Sequence, residues 1–200
     1  WAKAYKKLAT DETELMWPSE RLVRLFKGTY VLGKPLDYKQ KKVLDVGFGN
    51  GNNLIFLGTL GLQLSGLEGH PDICETTRQK LTRIGHTADL QVGTNTKMPF
   101  ADNSFDFLTS WNVLHYEKSE EAIMNALREY RRVLKPGGRF FISTTGPEHK
   151  ILEGAKTLGG HRYMIGRDDD FRKGETYFYF DSPGYIKYYF SQVFEDVQVG

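Results

Sequence analysis

Cysteine is almost missing from this sequence. Cys74 is the single one in 200 residues. That excludes an internal disulfide framework and a cysteine-rich zinc site. Long apolar runs are missing too, and none approaches the length of a bilayer-spanning helix. Trp1 to Lys7 contain no apolar core of the kind a secretory signal needs. A cytoplasmic location without membrane contact is therefore expected. A chain that opens on Trp1 and not on Met is expected to have trimmed ends. Charge of one sign is in small excess: the formal net charge is +2, too little to be a nucleic-acid footprint by itself. No internal repeat or low-complexity tract occurs. The 21 glycines follow no G-X-Y period, so they mark turns and not a triple helix.

What is present describes one globular domain. Hydrophobic residues make up 40% and charged residues 26%, an ordinary balance for a chain long enough to bury a full core. The charge is unevenly spread. Residues 1–42 hold ten Lys/Arg against five Asp/Glu, and the remainder 17 against 20. The basic section is either a solvated helical face or a surface that attracts an anionic substrate or partner.

Residues 1–42 read as an N-terminal helical cap. Asp11 and Ser19 suit helix starts, and Leu22, Val23, Leu25 and Phe26 form an apolar stripe. From residue 43 to 200 the pattern is that of an α/β domain. Short apolar strands are expected over Val43–Val46, Leu62–Leu67, Ala88–Val92, Phe105–Thr109 and Arg139–Thr144, and a sixth over Phe194–Val199. Helices are expected over Leu54–Leu60, Pro71–Ile84, Ser119–Leu134 and Pro183–Phe190, with Pro71 in a first turn and Ser119 as an N-cap. Such alternation predicts a doubly wound, mostly parallel sheet with right-handed crossovers. An insertion at about 146–180 is polar and glycine-punctuated, with a candidate strand at Thr176–Phe180. Loops of that length are usually functional.

Ligands of doubly wound sheets sit at the carboxyl ends of the strands. There the first strand runs into Gly47-Phe48-Gly49-Asn50-Gly51. Alone, a glycine loop is a tight turn or a ligand cradle. Glu68 ends the second strand, where a carboxylate can accept both hydroxyl hydrogens of a ribose. Together they describe a nucleoside-binding crevice. The dinucleotide fingerprint would need glycine at 52, where this chain has Asn52. Asp45, two residues before the first glycine, would repel a pyrophosphate but suits an ammonium or sulfonium. S-adenosylmethionine carries a ribose, an adenine and an amino-acid tail, and no phosphate.

With these residues in hand, the chain resembles the class I S-adenosylmethionine-dependent methyltransferases, of the small-molecule, methyltransferase domain 11-like type with a Rossmann-like fold. The matching stretches are Val43 to Gly51, Leu64 to Glu68, Met98 to Asp106, Asn112 to His115 and Val133 to Gly138. The resemblance implies that Asp45 holds the methionine ammonium, directly or through water. Gly47, Phe48, Gly49 and Asn50 would line the methionine and ribose. Glu68 would take the ribose hydroxyls, with Gly69 and His70 beside the adenine. The family's frequent aspartate after Gly93 is Thr94 here, followed by Asn95, and either side chain can accept from the adenine amino group. Ser110 and Trp111 would flank the methionine, and Asp106 would be structural. The family's seventh, antiparallel strand is missing, so the expectation is that the natural chain continues past Gly200 or that the fold is truncated.

Methyl transfer from a sulfonium needs alignment, a dry site and, for a hydroxyl acceptor, a base. His115 is the candidate base, or else a packed histidine; Tyr116 and Glu117 are further candidates. His149 and His161 lie in the insertion, as roof or as surface. Trp17 and Trp111 either wall the pocket or pack in the core. The Asn/Asp-Pro-Pro-aromatic run of enzymes acting on base or glutamine amino groups is replaced by Ser110-Trp111-Asn112-Val113. Asp168 to Asp170 read as a solvated acidic loop or a cation site, and no metal is expected. The expected acceptor is a polar small molecule, a sugar or another metabolite, methylated at O or N, and not nucleic acid. The alternatives are a cofactor-binding protein without turnover, a methyltransferase of a macromolecule docked on the basic face, and a nicotinamide-dependent oxidoreductase. Nothing in the sequence bears on oligomeric state.

Overall fold

A computed structural model describes residues 17–28, 36–146, 148–170 and 172–200. Its centre is a five-stranded parallel sheet, β1 (Lys42–Val46), β2 (Gln63–Glu68), β3 (Ala88–Val92), β4 (Phe105–Trp111) and β5 (Leu134–Ser143), in the order β3-β2-β1-β4-β5. Strand order reverses between β1 and β4, which puts the crevice at the carboxyl end of β1.

Side-chain alternation splits the core between the two faces. Val43 of β1 and Phe107 of β4 face one way. They pack with Leu22 and Phe26 of α1 (Glu20–Lys27), Leu54 and Leu57 of α2 (Asn52–Thr59), and Ile73 and Leu81 of α3 (Pro71–Arg83). Leu44, Val46 and Leu108 face the other way. They pack with Ile123, Leu127 and Tyr130 of α4 (Glu120–Val133) and Tyr189 and Phe190 of α5 (Pro183–Ser191). α1 therefore belongs to the main core, since Leu22 and Phe26 are fully buried in it.

The helix signals act as expected where the structure describes them. The Ser119 hydroxyl accepts from the Ala122 N–H at 3.1 Å. Pro71 occupies the first turn of α3. Ser19 caps α1 by position, without a side-chain bond. Asp11 lies outside the described residues.

Two charge clusters hold the sheet's loops. Asp106, at the start of β4, accepts from the Lys41 and Lys135 ammonium groups at 3.3 and 2.7 Å and from the Lys42 N–H at 3.0 Å. Arg132 of α4 donates to the Met98 and Phe100 carbonyls and pairs with Asp102 and Glu129. Those contacts fasten the Met98 to Asp106 stretch onto α4.

The sixth strand expected over Phe194 to Val199 does not form: residues 192–200 are turn and irregular chain. Phe194 and Val197 are buried at a spacing of three, and Asp196 between them has φ +52°. That conformation ends any extended run. The Phe194 ring instead lies 4.1 Å from the Phe140 ring of β5. β4 runs two residues beyond the expected end, and β5 begins at Leu134, ahead of Pro136-Gly137-Gly138, with a register irregularity between Phe105 and Phe107 of the paired strand. The insertion also holds more order than expected. β6 (Lys156–Gly159), β7 (Arg162–Met164) and β8 (Thr176–Phe178) form an antiparallel sheet.

Candidate functional site

The glycine loop leaves β1 and is held on three sides. Gly47 has φ +67°, and a Cβ there would lie 2.3 Å from Cγ2 of Val113. Thr77 of α3 donates its hydroxyl to the Gly49 carbonyl at 2.8 Å. Its methyl fills the space over Gly51, where a Cβ would meet it at 2.7 Å. Phe48 turns inward and is buried. Gly66 of β2 makes room for it, since a Cβ at Gly66 would lie 2.5 Å from the Phe48 ring. The loop thus presents backbone to the crevice while its one large side chain is part of the core.

Asp45 and Glu68 are both buried at the ends of adjacent strands. Asp45 Oδ1 accepts from the Thr109 hydroxyl at 2.7 Å, across the β1–β4 pair. Its Oδ2 is shut off from solvent and has no partner. Burial pushes the Asp45 carboxyl up to about 7; the Thr109 bond opposes the rise and the nearby Glu68 charge adds to it. Glu68 clasps the loop: Oε2 accepts from the Gly49 N–H at 3.2 Å and Oε1 from the Gly69 N–H at 2.8 Å. Burial also raises the Glu68 carboxyl, against the pull of those two amides. Beside it, a Cβ at Gly69 would meet only the Gly93 carbonyl, at 3.9 Å. His70 is the N-cap of α3.

The remaining predicted residues divide. The Thr94 hydroxyl lies 3.4 Å from that of Thr96, on the exposed side of the loop after β3. Asn95 is engaged at both ends of its amide, donating to Glu117 at 2.9 Å and accepting from the Tyr130 hydroxyl at 3.0 Å. Ser110 is fully buried, its hydroxyl 3.1 Å from that same Tyr130 hydroxyl. Tyr130 therefore ties two expected cofactor contacts together from below. Trp111 packs against the α1–α3 side of the core, whereas Trp17 is exposed.

His115, the expected base, is buried in a short 3₁₀ turn (Leu114–Tyr116), its ring 4.8 Å from both Tyr116 and Tyr177. Burial, with the charges of His149 and Arg172, holds its conjugate acid down to about 3. Such a ring stays neutral and takes up a proton poorly. In the insertion, His149 accepts from the Ile151 N–H at 3.2 Å. His161 stacks on Tyr185 at 4.4 Å. The three acids are each paired, Asp168 with Lys173, Asp169 with Arg167 and Asp170 with Arg172.

Sequence reasoning missed Thr77, Thr109, Gly66 and Tyr130. Tyr130 carried a signal as the one hydroxyl on an otherwise apolar helix face. The other three have meaning only through contacts with distant elements.

The model of a methyltransferase domain family matches residues 44–142, which contain β1 to β5 almost completely. The chain belongs to the class I S-adenosylmethionine-dependent methyltransferases. The chain is 31% identical over 134 residues to a sterol 4-C-methyltransferase of Caenorhabditis elegans, covering 62% of this chain and 38% of that one. It is 32% identical over 138 residues to a demethylmenaquinone methyltransferase of Listeria monocytogenes, covering 66% and 52%. The chain thus spans about half, or less, of the length of these curated relatives. The solved structure of the PH0226 protein from Pyrococcus horikoshii shares the fold, with a TM-score of 0.73 at 18% identity over 96% of this chain and 89% of that one.

The family's cofactor is S-adenosylmethionine, and the residues present fit it. The unpartnered, buried Asp45 oxygen calls for a cation, which the amino-acid tail provides. The loop turns its one large side chain, Phe48, into the core, and a Cβ at Gly69 would meet only the Gly93 carbonyl, at 3.9 Å. Among the described residues, no helix is long and apolar enough to cross a membrane.

Proposed function

We propose that this chain transfers a methyl group from S-adenosylmethionine to a polar small molecule. The bound cofactor supplies a methyl group already activated on its sulfonium. The protein's part is then to bind, align and keep water out. Asp45 holds the ammonium with its unpartnered oxygen. Glu68, anchored by the Gly49 and Gly69 amides, offers its remaining lone pairs to the ribose hydroxyls. Gly47, Phe48, Gly49 and Asn50 contribute main chain, and Gly69 and His70 flank the adenine. Thr94, the Asn95 main chain, Ser110 and Trp111 complete the enclosure. His115 faces the acceptor as a neutral hydrogen-bonding group, because its low basicity suits it poorly to removing a proton.

The single observation that carries this reading is the Asp45 carboxylate, buried with one oxygen unpaired at the mouth of a glycine loop. The two curated relatives act on a sterol and on demethylmenaquinone, so the family likeness leaves the acceptor open. A small, polar acceptor is favoured by the packing of β8 on the 3₁₀ turn that follows β4, through the Tyr177 and His115 rings. Isothermal titration with S-adenosylhomocysteine tests the cofactor site. Asp45→Ala and Glu68→Ala should each weaken binding tenfold or more, as expected from losing a charge-assisted bond of about 1.5–3 kcal/mol. Unchanged affinity in both variants would refute the assignment.

A further inference from the structure

Three polar atoms near the ends of β4 and β5 are closed off from solvent and have no hydrogen-bond partner. They are Nδ1 of His115 and the hydroxyl oxygens of Thr144 and Thr145. Buried polar groups are nearly always paired, so each such exception asks for a reason. The residues that carry them follow neighbouring strands. Trp111 of β4 is in register with Ser143 of β5. The turn carrying His115 and the Thr144–Thr145 pair therefore leave adjacent strands at the same level. Residues 177–180 of the insertion reach both. The Tyr177 ring lies 4.8 Å from the His115 ring, and the Phe180 N–H donates to the Thr145 carbonyl at 3.4 Å.

We propose that His115, Thr144 and Thr145 form the acceptor-recognition set and select an uncharged, hydroxyl-bearing acceptor. The proposal rests on the methyl-transfer reading and names the substrate class of that site. A hydroxyl and a neutral imidazole can each donate or accept a hydrogen bond, which is what pairing with substrate hydroxyls requires. An apolar ring system would leave all three atoms unpaired. A carboxylate would need a cation once desolvated. Arg172, whose charge is felt at His115, is already gripped by Asp170 at 2.8 and 2.6 Å. His115 itself stays uncharged, held down to about 3 by burial. A site built to bond hydroxyls also rejects ligands that lack them, because its own groups are then stranded.

The test is ligand-observed NMR on the protein saturated with S-adenosylhomocysteine. Three probe sets matched in size are compared: methyl glycosides and inositol, aromatic carboxylates, and apolar bicyclic hydrocarbons. The first set should bind best. Thr145→Val, which keeps the shape and removes the hydroxyl, should weaken that binding by at least about fivefold, the loss of one neutral hydrogen bond. His115→Phe should do the same, and neither variant should alter S-adenosylhomocysteine affinity. The proposal is overturned by no binding of the hydroxylated set, by equal binding in Thr145→Val, or by tighter binding of carboxylates or hydrocarbons. Failure of S-adenosylhomocysteine to bind the unmodified protein would instead overturn the methyl-transfer reading.

Discussion

Asp45 occupies a position that few carboxylates tolerate. One oxygen has the Thr109 hydroxyl, and the other has nothing. Its folded pKa of about 7 lies above the ordinary 3.8, so between those values the folded chain binds a proton that the unfolded chain releases. Stability without cofactor should therefore fall as pH rises through that window. Denaturant unfolding at pH 4.5, 6 and 8 reads it directly. Asp45→Asn should flatten the profile, and a profile as steep as that of the unmodified protein would rule out the Asp45 carboxyl as its source. Cofactor affinity should run the opposite way, rising with pH up to about 7, because the ammonium favours the ionised carboxylate. Titration calorimetry in buffers of different ionisation heat would show the released proton.

Thr77 makes a second residue-scale case. Its hydroxyl bonds the Gly49 carbonyl and its methyl covers Gly51. Thr77→Val keeps the methyl contact and strands the carbonyl. A loss of about 1–3 kcal/mol of stability is expected, with weaker S-adenosylhomocysteine binding as the loop loosens. A variant as stable and as tight-binding as the parent would remove Thr77 from the loop's support. Asp45 and Glu68 were legible in sequence because each ends an apolar strand beside glycines. Thr77 and Thr109 were not. Their meaning depends on the rotation of α3 and on the register of β1 with β4, two facts with no local signal.

Among the elements, α4 is the most plainly written. Ser119 precedes a helix whose Ile123, Ala126, Leu127 and Tyr130 recur at three- and four-residue steps on its buried face. Ser119→Ala should lower stability by about 1 kcal/mol, read as a shift in the denaturation midpoint without a change in slope. No shift would mean that the cap bond contributes nothing. The elements that misled are those whose burial arises from a different geometry. Phe194 and Val197 read as apolar residues of a short strand, yet they belong to irregular chain folded over Phe140. β6 shows no apolar alternation, and all four of its residues are exposed. Its pairing with β7 rests on main-chain bonds, which leave no mark in composition.

At the scale of the molecule, the sheet is buried on both faces, whereas the insertion has a small core of its own around Ile151, Ile165 and Tyr177. Stability should be graded accordingly. Native-state hydrogen exchange should find β1 and β4 slowest, opening only with global unfolding, while β6 and β7 exchange through a lower-energy opening. Adding S-adenosylhomocysteine should slow exchange in the glycine loop more than in β6. Simultaneous exchange of both sheets would instead describe one cooperative unit.

The sequence alone determined the parallel sheet, its switch point and the two acids at the crevice. These follow from short-range pattern: apolar runs, glycines after a strand, caps before helices. Tertiary structure decided which oxygen of Asp45 is left unpaired, that His115 is too deeply buried to hold a proton, and that the Thr144 and Thr145 hydroxyls are left without partners. Burial and pairing are properties of the neighbours that folding brings together. A residue's identity limits what it can do, while its desolvation and its partners settle which of those things it does.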